Sequence, residues 1–395
     1  AHLLLGESAS RYNQTICINV DSTVDIGSLL STITSVAQKT PELNTAYNLI
    51  REEGNHKIPL LPTVHHCTNV QAIIEKPFNP DSGINIRIGL LSGEEGVSEI
   101  TKVVLIFPHF SVDGWSLQVL ADLISQDYSK KNKLSNSEDS RTPSGDFSSY
   151  GDYVKWLKET ADEEASHLFW KDFLSGFSNK IQFSSQVIEH LPAKELKAAG
   201  VIRTRLKETT PQEVTDRASD IGVAAFHIYL SCFVQTIKQM SDQEDLTIAT
   251  LSAGQLLSGM HKLVGNCTTV LPLRFLSKNL NATCAQNCYN IFQQVLPHWN
   301  FDTRKLVKAL GVKPNSIGHA LSNVCFNYDK LTKTDLSFQK RISFNPGFNH
   351  ASKWDLFLNI VSDDENIEAE LEYNQQVLSA AQAKSILSLY TRFLS

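Results

Sequence analysis

Residues 101–115 read TKVVLIFPHFSVDGW, and this stretch decides how the chain can fold. The first seven residues, 101–107, form a continuous apolar run of strand length, which predicts a strand in the interior of a sheet. Asp113 and Gly114 suit a tight turn or the start of a helix, and the apolar residues that follow recur at helical spacing. The stretch therefore predicts a buried strand, a turn that contains His109, and an amphipathic helix.

The rest of the chain alternates strands with helices, which predicts an α/β fold. Strands are expected at 14–21, 84–93, 201–207 and 245–252, helices at 25–43, 149–176 and 211–240, and a hairpin from 353–361 and 367–374. A polar stretch with proline and glycine, 130–149, predicts an exposed loop.

The chain has 395 residues, which is too long for one ordinary core and predicts two lobes. We expect a first lobe over residues 1–148, a helix between the lobes over 149–176, and a second lobe over 177–395.

The composition is that of a soluble globular protein, with 42% hydrophobic and 20% charged residues. A net charge of -6 gives no attraction for a phosphate backbone or an anionic membrane, so neither nucleic acid nor membrane is an expected partner. The opening residues AHLLLGESASRYN are expected to form neither a signal peptide nor a spanning helix. Seven cysteines without a C-x-x-C pair indicate free thiols in a reducing, cytoplasmic compartment, and no cluster of metal ligands is expected.

His109 is the first candidate for a chemical role, because it stands where the buried strand ends. A neutral imidazole, with an ordinary pKa of about 6.5, can take a proton from an attacking amine or hydrogen-bond a tetrahedral intermediate. Asp113 would hold the turn, and Gly114 could offer its N–H to an oxyanion. The alternative is that His109 only makes a hydrogen bond within the turn.

Other candidates have the wrong surroundings for catalysis. His65 and His66 lie in a loop-like stretch, and Cys284 and Cys288 stand one helical turn apart without a histidine partner. The stretch ATLSAGQLLSG contains two serines but is no G-x-S-x-G nucleophile elbow. Without a glycine-rich phosphate loop, ATP is not an expected substrate.

The segment PHFSVDGWS resembles the HHxxxDG signature of the condensation domains of non-ribosomal peptide synthetases. Four further segments resemble motifs of the same family, in the same order: PFNPDSGINIRIGLL, YGDYVKWLKETADEEASHLFWKDFLSG, VGNCTTVLPLRF and SKWDLFLNIVSDDENIEAELEYN. Five ordered matches that cover most of the chain make the resemblance specific.

The resemblance implies two chloramphenicol-acetyltransferase-like lobes that form a V-shaped pseudo-dimer, with the site at their junction. It implies attack of an amine on a carrier-bound thioester, with His109 as the catalytic group. Asp113 and Gly114 would support the site, and Ser111 and Trp115 would contact substrate. No cofactor would be bound covalently, because the substrates travel on phosphopantetheine arms of donor and acceptor peptidyl carrier proteins, next to neighbouring synthetase domains.

The sequence departs from the family motifs at several positions. Asn44 stands where an arginine is expected to hold Asp113, so Asp113 needs another partner. Arg87 could form that ion pair, or it could face solvent. Thr269 and Val270 replace an asparagine and a threonine, which could alter the acceptor side.

Pro108 replaces the first histidine of the signature. The second histidine is the family's catalytic one, so amide formation stays the first expectation. Fungal terminal condensation domains also lack the first histidine, which leaves intramolecular cyclisation and product release as an alternative. A non-catalytic module that recruits a partner is the third.

Overall fold

The computed structural model describes residues 13–46, 62–92, 99–132, 149–160, 162–183, 199–276, 284–312, 320–330, 341–344 and 352–395. The strands are β1 Gln14–Asn19, β2 Thr63–Cys67, β3 Arg87–Ser92, β4 Ile100–Phe107, β5 Ala199–Arg205, β6 Asp245–Ala253, β7 Thr268–Leu276, β8 Val324–Lys330, β9 Ile342–Phe344, β10 Leu356–Ser362 and β11 Ile367–Asn374. The helices are α1 Ile26–Lys39, α2 Gln71–Ile74, α3 Gly114–Lys131, α4 Tyr150–Thr160, α5 Glu163–Phe173, α6 Pro211–Asp220, α7 Ala225–Ser241, α8 Gly254–Ser258, α9 Cys284–Val295, α10 Thr303–Ala309 and α11 Ala380–Leu394. The predicted α/β class is confirmed.

The chain forms two compact units that interrupt each other along the sequence. The first unit contains residues 1–159, 253–268 and 334–349, and the second contains 160–252, 269–333 and 350–395. Both units therefore draw on segments that are far apart in the sequence.

The first unit is built on a five-stranded sheet with the order β2-β3-β4-β1-β9. Strand β4 pairs with both β1 and β3 in antiparallel register, and its residues 103–107 are almost completely buried. Side chains of α1 and α3, including Leu29 and Leu117, pack on this sheet in one apolar core. The apolar run that ends at Phe107 is therefore an interior strand, as the sequence predicts.

The second unit is built on a six-stranded sheet with the order β5-β11-β10-β8-β6-β7. The expected hairpin is confirmed as the antiparallel pair β10–β11. Alternate residues of β11 are buried in the core of this unit: Ile367, Ala369, Leu371 and Tyr373. Arg274 of the P-L-R segment forms an ion pair with Asp245 at 2.8 Å, so it ties β7 to β6.

Two helices that the sequence predicts as continuous are each broken in the structure. The 149–176 prediction is wrong in this respect: α4 ends at Thr160, and α5 begins after Asp162, whose carboxylate accepts the backbone N–H of Ala165 as an N-cap. The 211–240 helix is divided into α6 and α7, which meet at 95°. Gly222 lies between them with φ +69°, a left-handed conformation that ends a helix. Apolar periodicity extends across both breaks and therefore hides them.

The predicted loop over 130–149 falls largely on residues 133–148, which lie outside the described residues. Among the helices that are described, none alone is long and apolar enough to cross a membrane. The bent pair α6–α7 meets the criteria of length and composition. All seven cysteines are free thiols, as expected.

Gly200 should be a stability determinant of the second unit. Its strand neighbour across the sheet is Tyr373, and a Cβ at position 200 would lie 2.1 Å from Cζ of that ring. We expect Gly200→Ala to lower the free energy of unfolding by about 1–3 kcal/mol, because the buried ring must shift. Denaturant unfolding measures this. Val201→Ala, at a position that is 37% exposed on the same strand, should change stability by only about 0.5 kcal/mol, and equal effects of the two substitutions would contradict the explanation.

Candidate active site

His109 lies in the turn that directly follows strand β4. Pro108 is buried at the end of the strand, and its carbonyl oxygen accepts hydrogen bonds from the backbone N–H and the hydroxyl of Ser111, each at 3.1 Å. These bonds close a tight turn over residues 109–111, in which His109 is half-buried. The structure therefore places His109 at the end of an interior strand, where the sequence predicts it.

Asp113 is the centre of the polar network behind this turn, and its side chain is completely buried. Oδ1 accepts from the backbone N–H and the hydroxyl of Ser116 at 2.9 and 2.7 Å, so Asp113 caps helix α3. Oδ2 accepts from the N–H of Cys267 at 2.9 Å and from the hydroxyl of Thr268 at 3.0 Å. The amide nitrogen of Gln255 lies 3.2 and 3.1 Å from the two oxygens. Because hydrogen bonds to a charged group contribute about 1.5–3 kcal/mol each, this set can replace the hydration of a buried carboxylate.

Three of these four partners belong to residues 253–268, which we call the clamp segment. The hydroxyl of Ser116 also ties this segment to α3, because it accepts the N–H of Gly265 at 2.9 Å and lies 2.9 Å from the Gly265 carbonyl oxygen. The hydroxyl has one proton, so it donates either to Asp113 or to that carbonyl at any moment. The Asp113 carboxylate, the Gly265 carbonyl oxygen and the Ser116 hydroxyl therefore lie together in one hydrogen-bonded group.

Two glycines allow the backbone of the clamp segment to approach the tyrosine side chains of helix α4 closely. A Cβ on Gly254 would lie 2.0 Å from the Tyr153 hydroxyl, and a Cβ on Gly265 would lie 2.5 Å from the Tyr150 ring. The Tyr150 hydroxyl donates to the Asn266 carbonyl at 3.3 Å, and the Tyr153 hydroxyl donates to the Cys267 carbonyl at 3.4 Å. The tyrosines of α4 thus hold the segment that holds Asp113.

Burial keeps the neighbouring side chains of Tyr150 and Cys267 neutral. It raises the pKa of Tyr150 to about 12, with smaller contributions from Cys267 and Asp113. Burial, and then the charges of Asp113 and Glu42, raise the pKa of the Cys267 thiol well above its usual range. Cys267 is therefore not a thiolate nucleophile, and Tyr150 is a hydrogen-bond donor at neutral pH.

The predicted ion pair between Arg87 and Asp113 is wrong. The guanidinium of Arg87 donates to the carbonyl oxygens of Ile73, Lys76 and Pro77 at 2.7 to 3.2 Å, and its central carbon lies 4.1 Å from the Phe78 ring centroid. Arg87 is buried, so the solvent-facing alternative is wrong as well. Ile73 lies in the last turn of the short helix α2, and Lys76 and Pro77 follow it, so Arg87 binds carbonyl oxygens at the C-terminal end of a helix, where intrahelical donors run out.

Asn44 also has a role elsewhere. Its amide donates to the carbonyl of Gln38 at 3.0 Å, near the end of α1. Glu42 is buried two residues earlier, and its carboxylate accepts the backbone N–H of Tyr150 at 3.0 Å. Helix α4 is therefore anchored at its first residue by a buried acid.

The other predicted site residues lie around the same turn. Ser111 is buried and its hydroxyl is used within the turn. Trp115 is half-buried and its indole N–H donates to the carbonyl of His261, in the clamp segment, at 2.8 Å. Gly114, the first residue of α3, is exposed, and a Cβ there would meet no atom within 4 Å. The structure thus brings His109, Ser111, Asp113, Gly114 and Trp115 together and separates Arg87 from them.

The sequence does not identify Gln255 or its neighbours in the clamp segment as partners of Asp113. The separations are 142 residues for Gln255 and 154 for Cys267, so no local pattern joins them to the turn. A signal is present in the glycines at 254 and 265, because glycine in an apolar stretch often marks a close approach of the backbone.

An interior strand leads into a turn that contains a histidine and is supported by a buried aspartate, on a mixed sheet, in a fold of the chloramphenicol-acetyltransferase type. The condensation-domain family model matches residues 1–395. The chain belongs to this family, whose members form amide bonds between carrier-bound substrates in non-ribosomal peptide synthesis.

The relatives match most of this chain at low sequence identity. Surfactin synthase subunit 1 of Bacillus subtilis is 23% identical over 337 residues, which is 82% of this chain and 9% of the relative. A polyketide synthase-nonribosomal peptide synthetase of Aspergillus clavatus is 21% identical over 407 residues, 96% of this chain and 10% of the relative. The chain thus spans about a tenth of these relatives.

Solved structures share the fold over the whole chain. The condensation domain of the Monacolin K polyketide synthase MokA has a TM-score of 0.76 at 12% identity and covers 100% of this chain and 94% of its own. The first condensation domain of the calcium-dependent antibiotic synthetase, in complex with a substrate analogue, has a TM-score of 0.73 at 14% identity and covers 100% and 92%. At these identities the likeness concerns the fold.

Asp113→Asn should destabilise the first unit. One carboxylate oxygen becomes an NH₂ group that faces donors, so at least one buried donor loses its acceptor, at a cost of about 2–3 kcal/mol in the free energy of unfolding. Denaturant unfolding measures the change. Asp216→Asn is the control, because Asp216 is exposed and accepts only a surface bond from Gln212, and it should change stability by about 0.5 kcal/mol or less.

Glu42 should make stability depend on pH. Burial raises its pKa in the folded state, so Glu42 contributes stability below its unfolded pKa, and this contribution is lost as the pH rises through the folded pKa. Glu42→Gln removes the charge and keeps an oxygen for the Tyr150 N–H. We expect its free energy of unfolding relative to the parent to increase between pH 4 and pH 8. For the exposed control Glu208→Gln, the free energy of unfolding should differ from that of the parent by the same small amount at both pH values. A difference for Glu42→Gln that does not change with pH would contradict the interpretation.

Proposed function

We propose that His109 is the catalytic group of an acyl transfer from a carrier-bound thioester to an amine. The observation that carries this proposal is the position of His109 between a buried strand end and the buried cap of α3. Such a position fixes the backbone on both sides of the imidazole while the ring itself is half-exposed. A group held in this way is suited to meet a substrate in a single orientation.

The amine nitrogen attacks the thioester carbonyl carbon, and a tetrahedral intermediate forms with its charge on oxygen. His109 either takes the proton that the nitrogen loses or donates a hydrogen bond to the intermediate. The carbon–sulfur bond then breaks, the acyl group stays on the nitrogen as an amide, and the carrier's phosphopantetheine thiol leaves with a proton. Gly114, at the N-terminus of α3, is our candidate for the N–H that faces the oxyanion.

Ser111 and Trp115 have supporting roles in this proposal. Ser111 is buried and its hydroxyl is used within the turn, so its role in this proposal is to hold the turn in shape beside the substrate. Trp115 presents its ring beside His261 at a centroid distance of 6.3 Å. An aromatic surface of this kind would pack against the acyl or aminoacyl group.

The substrates would be delivered by donor and acceptor carrier proteins of a larger synthetase. This partnership is proposed from the family and from relatives that are about ten times longer than this chain. The phosphopantetheine belongs to the carriers, so the domain itself would need no cofactor of its own.

Cyclising release is the second candidate, and Pro108 is the observation that favours it. The proline is buried at the first position of the signature, where fungal terminal domains also lack histidine. In that case the attacking amine belongs to the same acyl chain. Mass spectrometry separates the two reactions, because release gives a free cyclic product and extension leaves a longer acyl chain on the acceptor carrier.

His109→Ala should lower the rate of amide formation by about 10²–10⁴-fold, the usual contribution of a general acid-base. The assay uses a panel of donor and acceptor carrier proteins loaded with aminoacyl groups, and product is followed by mass spectrometry. His66→Ala, an exposed histidine of the same unit, is the matched control and should keep the parent rate. Undiminished turnover by His109→Ala would remove His109 as the catalytic group. A parent protein without turnover on the whole panel would favour a recruiting module.

A further inference from the structure

Gln255 is the one side-chain amide within the described residues that bonds Asp113. It is completely buried, and its nitrogen lies 3.2 and 3.1 Å from the two carboxylate oxygens and 3.3 Å from the Gly265 carbonyl. A carboxylate only accepts hydrogen bonds, so the nitrogen of the amide, and not its oxygen, must face Asp113.

The opposite end of the same amide is not satisfied. Oε1 of Gln255 is buried and has no hydrogen-bond partner among the described residues. Buried polar atoms are normally paired, because an unpaired one costs free energy. The amide is thus oriented with its nitrogen toward Asp113 and its oxygen away from it.

Backbone contacts determine where Gln255 lies. Gly254, just before it, packs against the Tyr153 hydroxyl and the Cys267 carbonyl. A Cβ at position 254 would lie 2.0 Å from that hydroxyl oxygen and 2.7 Å from that carbonyl oxygen. Gln255 therefore has little freedom to move away from the carboxylate. Asp113 in turn is the N-cap of α3, and it stands four residues after His109.

We propose that Gln255 is a positioning residue that acts on His109 through the carboxylate of Asp113. Its amide nitrogen bonds both carboxylate oxygens and so fixes the rotation of the Asp113 side chain. Because Asp113 stands where the turn that carries His109 leads into α3, this contact also fixes the C-terminal end of that turn. Within the described residues, a neutral amide takes the place of the ion pair expected of Asp113. The inference rests on the proposed role of His109.

The effect on the reaction should appear in kcat. Gln255 is buried behind the turn and has no contact with a substrate in this proposal, so its loss should leave KM for the acceptor within about twofold. Displacement of a catalytic group by about 1 Å can cost up to about 10²-fold in rate. We expect Gln255→Met, which keeps the length of the side chain and removes the donor, to lower kcat by about 10- to 100-fold.

The decisive measurement combines this substitution with His109→Ala, in the same assay with loaded carrier proteins. If Gln255 acts through His109, adding Gln255→Met to His109→Ala should lower the residual rate no further. If the same drop persists in the double variant, Gln255 acts by another route and the proposal is overturned. An unchanged kcat in a folded Gln255→Met protein also overturns it.

Two further variants keep the test informative. Gln118→Met is the matched control, because Gln118 donates to Asp122 at 2.9 Å within α3 and away from the turn, and it should keep the parent kcat. Where circular dichroism shows that Gln255→Met does not fold, Gln255→Asn replaces it, since the shorter amide cannot bridge both oxygens. Full activity of His109→Ala would defeat the proposed function itself, and this result differs from an active Gln255→Met beside an inactive His109→Ala.

Discussion

The buried carboxylate of Asp113 is the interaction on which the candidate site depends. A charged group without water costs several kcal/mol unless donors surround it, and here backbone N–H groups, hydroxyls and an amide take the place of water. These donors come from helix α3 and from residues 253–268, so the carboxylate joins two distant stretches of the chain. The turn that carries His109 ends at this junction.

The partners of Asp113 among the residues that the structure describes are all neutral, and this has a physical consequence. An arginine beside Asp113 would hold the carboxylate through one bidentate ion pair, whereas here several neutral donors share it through separate hydrogen bonds. Each hydrogen bond must have the right distance and angle, and so the position of the carboxylate is determined closely by the backbone around it. This explains why Gly254 and Gly265 are pressed so near to the tyrosines of α4. The close approach is what brings the donors into range.

Local patterns in the sequence identify the strand, the turn and the helix, because each depends on neighbours in the chain. The apolar run before Phe107, the Asp-Gly pair and the helical spacing after it predict the observed elements, and the family motifs make His109 the candidate catalytic residue. Local patterns do not identify tertiary partners, because these are far apart in the sequence. Gln255 contacts Asp113 across 142 residues, and Arg87 binds three carbonyls at the C-terminal end of α2, where intrahelical donors run out, which a reading of charges alone does not predict.

Pro108 shows why a departure from the signature need not disturb the turn. The last registered pair of β4 and β1 is Phe107 with Gln14, so residue 108 lies beyond the ladder and a proline there removes no hydrogen bond from it. What the turn uses at this position is the carbonyl oxygen, which accepts both bonds from Ser111, and proline keeps its carbonyl. Its ring also fixes φ, which lowers the number of conformations that the chain can adopt before the histidine. Pro108 therefore stiffens the entry to the turn, Asp113 fixes its exit, and His109 is the residue held between them.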